Sequence, residues 1–127
     1  HVVQSSEIIE YDGENKYVIY SMGNFVSNQR RGASGYPKTK KELCEDSMLV
    51  NIEFIKDPIT HKTSINKVEH IPTWLWRYLE NGVYKFKVIP VPALDYYQNG
   101  EYPPEVLAEV YESYKRTMSL VTDYRKP

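Results

Sequence analysis

Three histidines and one cysteine are all the imidazole and thiol chemistry that this chain of 127 residues contains. His1 opens it within HVVQ, His61 falls in DPITHKT, and His70 lies in SINKVEHIPTWLWRYL. A neutral imidazole can bind a metal or act as a general base, but no spacing joins these three into a recognisable ligand set. His61 reads as an exposed turn residue. His70, in a strand beside aromatic residues, reads either as a hydrogen-bonded structural histidine or as a catalytic base. Cys44 is alone, so the chain builds no disulfide and no cysteine-based zinc site of its own. There is no Ser/His/Asp order with supporting context, no glycine-rich phosphate loop and no HExxH. Glu42, Glu45 and Asp46 read as solvated loop charge. Trp74, Trp76 and Tyr78 recur every second residue, so they share one face of an extended segment. That stripe is open to three readings: core, a contact between subunits of a homo-oligomer, or a platform on which sugars stack.

Composition narrows the partners. With 41% hydrophobic and 26% charged residues the chain is globular rather than disordered, and its length suits one domain. Sixteen Lys and Arg against seventeen Asp and Glu leave a formal charge of -1, which excludes the overall basic footprint of a nucleic-acid binder. The one basic run, residues 30–41, also holds Gly32, Gly35 and Pro37, and reads as a solvated loop rather than a polyanion site. No apolar run reaches the roughly 18 residues that span a bilayer.

The elements that must position these residues follow from periodicity. Residues 7–11 and 16–21 are rich in Ile, Val and Tyr and flank an Asp12-Gly13 step, which predicts a β-hairpin. Tyr17, Val18, Ile19 and Tyr20 are apolar on both sides, so its second strand is expected to be buried on both faces. Residues 47–56 alternate, with Met48, Val50, Ile52 and Phe54 on the apolar side. Asp57-Pro58 starts a turn, and a strand resumes from Ile65 until Pro72 ends or bends it. Residues 83–92 alternate again, making an antiparallel meander of three strands. After Pro103-Pro104, the residues Val106, Leu107, Val110, Tyr111, Tyr114, Met118 and Val121 recur at helical spacing and predict an amphipathic helix. The fold class is α+β: mostly antiparallel strands in residues 1–92, then a linker and helix in 93–127.

His1-Val2-Val3-Gln4, followed some sixteen residues later by Tyr20-Ser21-Met22-Gly23-Asn24-Phe25-Val26, resembles the bacterial capsule-synthesis (CapA-type) family. Its pattern is a histidine-rich turn ending in HPHVVQ, then a hairpin and YSLGNFV. Here Met22 stands where leucine is usual, a change that conserves volume. Asp46-Ser47-Met48-Leu49-Val50 resembles the strand that follows the loop. The likeness is good from residue 1 to about 56 and extends more loosely to about 92; the helix adds little to it.

The resemblance implies the C-terminal part of a metallophosphoesterase-like (calcineurin-like) α/β sandwich that takes part in poly-γ-glutamate or capsular polymer synthesis or export. It implies a membrane-associated or extracellular place at the bacterial cell surface. His1 would match the later of two histidines that help hold a pair of divalent cations, Mn, Fe or Zn. The remaining ligands would come from an N-terminal part, or a partner chain, beyond these residues, so the isolated chain should not be a competent hydrolase. Asn24 would lie near the active-site face, or serve only as a turn residue after glycine. Gln29 and Arg30 would reach a substrate anion from the loop. The rival expectations are a protein- or polymer-binding module using the tryptophan stripe, and a structural half-domain that completes a sheet with a partner.

Overall fold

The computed structural model describes residues 2–29, 44–91 and 100–126. His1, Arg30, Glu42 and the basic run 30–41 therefore lie outside the described residues. Strands β1 (Ser6–Tyr11) and β2 (Glu14–Ile19) form an antiparallel hairpin, with Ser6 opposite Ile19 and Tyr11 opposite Glu14. Asp12 and Gly13 turn it with φ of 53° and 69°, the mirror-image geometry that matches the twist of a two-residue hairpin. Strands β3 (Asp46–Lys56), β4 (Thr63–Glu80) and β5 (Val83–Pro90) form the expected antiparallel meander. Asn81 and Gly82, again both at positive φ, close its second turn. In its first turn the Asp57 carboxylate accepts the N–H groups of Ile59 and Thr60 at 2.8 and 2.7 Å, while His61 takes φ 58° and is exposed.

Helix α1 (Pro104–Met118) starts on proline, carries Glu105 in its first turn, and has Lys115 and Arg116 in its last. Each placement suits the helix dipole. Its buried side packs Val106 and Val110 against Trp74, Ile89, Val91 and Tyr102. A second cluster joins Val3, Met48 and Val121, with Ile19, Val50 and Met118 packed against it. It ties the base of the hairpin to the start of β3 and the end of the helix. The short strand β6 (Tyr124–Arg125) then pairs with Lys67 and Val68 of β4.

Four expectations are corrected. Pro72 does not end its strand; β4 runs through it. Its carbonyl accepts the Val91 N–H at 2.7 Å, so its backbone polar edge faces β5. On the other side it stands opposite Met48, whose own N–H turns away to Met22 O at 3.1 Å. The missing proline donor therefore costs the β3–β4 ladder nothing, and β5 ends beside it. Phe54, expected on the strand's apolar side, is 59% exposed: it lies near the far end of β3, past a register shift at Glu53/Phe54, and belongs to neither core cluster. Strand β2 is half-buried at most, and Tyr20 just beyond it is exposed, since the hairpin forms a two-stranded ribbon rather than a central strand. Tyr111 faces solvent, while Ser113 and Thr117 take the buried side of the helix.

Candidate functional site

The hairpin base, the segment after β2 and the start of β3 meet at one corner of the molecule. Val3 bridges Met22, and Gly23 bridges Ser47. Gln4 donates to Ser21 O at 3.0 Å, and the Ser47 hydroxyl donates to Met22 O at 2.9 Å. Gly23 is required here on two counts. Its φ is +77°, and a Cβ would lie 2.5 Å from Asp46 O. Directly after it, Asn24 donates through Nδ2 to Gln29 Oε1 at 2.9 Å. Asn24 and Gln29, two of the residues singled out in the sequence, are thus brought together.

Behind this corner Asp46 receives Arg116 in a bidentate pair, Nε to Oδ2 at 2.8 Å and Nη2 to Oδ1 at 2.9 Å. The Asp46 carboxylate is only 5% exposed, so the parallel fork supplies the charge and both donors that burial demands. The reading of Glu45 and Asp46 as solvated loop charge is therefore overturned: both are buried. Asp46 holds the end of α1 onto the start of β3, the same strand end that receives Gly23. Among the described residues, no group of three or more His, Cys, Asp and Glu is arranged to hold a metal ion.

A second constellation was not visible in the sequence. The imidazole of His70 is fully buried. Asp123 Oδ1 accepts both the His70 backbone N–H and Nδ1–H, each at 2.9 Å. That double contact places the ring proton on Nδ1 and leaves Nε2 as acceptor. The Tyr17 hydroxyl lies 2.8 Å from Nε2 and the Ser6 hydroxyl 3.2 Å. Burial raises the Tyr17 pKa, opposed by its hydrogen bond with Ser6, so the phenol stays protonated and able to donate. Ser6, His70 and Asp123 superficially match a nucleophile, base and orienting acid. The geometry argues for fastening instead. Tyr17 is the nearer partner of Nε2, and the hairpin's own hydroxyls occupy the imidazole that a substrate would have to reach. Of the two readings of His70, the hydrogen-bonded structural one fits.

A cleft of about 620 Å³ opens between the hairpin and the far ends of β3 and β4. Glu10, Asn15 and Tyr17 line one wall, and Ile52, Phe54 and Ile65 the other. The exposed Phe54 is therefore a wall residue. Asn15 reaches across to the tail, its Nδ2 donating to the Tyr124 hydroxyl at 2.6 Å.

The tryptophan stripe resolves into core at one end and half-buried aromatics at the other. Trp74 is 8% exposed beneath α1. Trp76 stacks on Tyr78 at 4.4 Å between ring centroids and meets Tyr102 edge-on at 5.9 Å. Such rings are spent on one another and on the helix, which removes Trp74 from any sugar-stacking platform. Compared with protein-family models, curated proteins and solved structures, the chain matches none.

Proposed function

We propose that this chain is the C-terminal part of a CapA-type protein. In this reading its sheet belongs to a metallophosphoesterase-like sandwich acting in poly-γ-glutamate or capsular polymer synthesis or export at the bacterial cell surface. The observation that carries the reading is the convergence of the two motifs behind the resemblance. HVVQ, at residues 1–4, and MGNF, at residues 22–25, are separated in sequence, yet Val3 bridges Met22 and Gly23 bridges Ser47 at one corner. A site built from both motifs requires that juxtaposition.

A further feature supports a missing layer. On the sheet face opposite α1, Leu49, Leu79 and Tyr84 are 40%, 63% and 59% exposed. An N-terminal part, or a partner chain, would cover them. His1 would supply one imidazole ligand to the metal pair, and the other ligands would come from that part. When bound, two divalent cations (Mn, Fe or Zn) would lower the pKa of a bridging water and offset charge on a phosphoryl group. Asn24 and Gln29, already hydrogen-bonded to each other, and Arg30 would line the approach of an anionic polymer or phosphoester.

Calorimetric titration with Mn²⁺ or Zn²⁺ tests the reading, using a chain extended by the N-terminal part. The extended chain should bind, and His1→Ala should weaken binding by about tenfold or more, as loss of a ligand or its support does. Unchanged affinity would remove the ligand assignment.

A further inference from the structure

We infer that the β1–β2 hairpin is a lid over the 620 Å³ cleft, latched by the chain's C-terminal tail through the buried imidazole of His70. This is independent of the metal reading. The hairpin is secured at its base, where Val3 is buried and Ile19 packs in the second core cluster. Beyond the base, β1 and the first half of β2 are largely exposed, so little apolar burial holds them down. What fastens them is polar. Tyr17 and Ser6 reach Nε2 of His70, and Asn15 reaches Tyr124.

The tail controls both attachments. Asp123 sets the His70 tautomer by occupying Nδ1–H, and in doing so keeps Nε2 free to accept from the hairpin. Directly after it, β6 pairs with Lys67 and Val68, and Lys126 N–H donates to Asn66 O at 2.8 Å. This holds Tyr124 under Asn15. The two cleft walls thus belong to units joined by this latch: Glu10, Asn15 and Tyr17 to the hairpin, Ile52, Phe54 and Ile65 to the sheet. Releasing the tail frees the hairpin to pivot at its base and widen the cleft.

Amide hydrogen exchange on the whole chain tests the coupling. Asp123 is half-exposed, so Asp123→Ala leaves the apolar core untouched. It should speed exchange of the hydrogen-bonded β1–β2 amides by about tenfold, the effect expected from losing a charge-assisted bond, while α1 and β5 amides keep their rates. Asp123→Asn retains an oxygen that can accept both bonds and should restore slow exchange in the hairpin. Tyr17→Phe, which leaves the tail in place, should speed the hairpin amides as well. Unchanged hairpin exchange in Asp123→Ala would overturn the latch. So would equal acceleration in α1 and β5, which would mark general destabilisation.

Discussion

The two halves of this molecule are held by different physics. Around α1, β4 and β5 the contacts are apolar: Trp74, Ile89, Val91, Val106 and Val110 are each at most 8% exposed. Beyond the base of the hairpin, the contacts found among the described residues are polar: Ser6 and Tyr17 reach His70, and Asn15 reaches Tyr124. Apolar burial is additive and tolerant of small shifts, so it makes a scaffold. Hydrogen bonds to a buried imidazole depend on donor direction and tautomer, so they make a fastening that one atom can undo. The cleft lies where the two meet.

Substitutions in each half probe this difference. The largest effect should come from Ile89→Ala, which empties a site with no exposed surface. Urea unfolding should show a loss of about 2–5 kcal/mol and a lower midpoint for every probe. Next comes Arg116→Leu. It strands the buried Asp46 carboxylate, and because the guanidinium is partly exposed the loss should be about 2–3 kcal/mol by the same assay. Gly23→Ala forces a side chain into positive φ against Asp46 O. It should cost about 1–3 kcal/mol and perturb the amide resonances of Val3, Met22 and Ser47 first.

The smallest effect is pH-dependent. Burial raises the Tyr17 pKa above its ordinary value of 10.0, and a hydrogen bond from Tyr20 to Glu7 raises that of Tyr20 in the same hairpin. A raised folded pKa contributes stability that is fully present below about pH 10 and is lost as pH rises through the folded value. The hairpin should therefore loosen above about pH 10 before the core does, followed by hairpin amide or tyrosine signals. Tyr17→Phe should remove part of that dependence.

Much of the fold could be read locally. Asp12-Gly13 encodes a hairpin turn, the alternation through Met48, Val50 and Ile52 encodes a strand, and Pro104 with Val106 and Val110 encodes a helix. The failures were all nonlocal. Whether Pro72 ends a strand depends on which neighbour its missing N–H would have faced, which only the β3 and β5 registers decide. Asp46 looked like loop charge because its partner is 70 residues away. His70 offered no signal of its partners, which come from positions 6, 17 and 123; only an unexplained histidine amid β-branched and aromatic residues marked the spot. At the candidate site, Asn24 and Gln29 were singled out separately, and their hydrogen bond needed the turn after Gly23 to be seen.

Native-state hydrogen exchange of the unsubstituted chain in low denaturant tests the division between scaffold and fastening most directly. The β1–β2 amides should exchange through a partial opening that is easier than global unfolding, while the amides of α1 and of the paired segments of β4 and β5 exchange only with the whole. If the hairpin amides share the global opening free energy and denaturant dependence of α1, the two halves form one cooperative unit and the contrast drawn here is wrong.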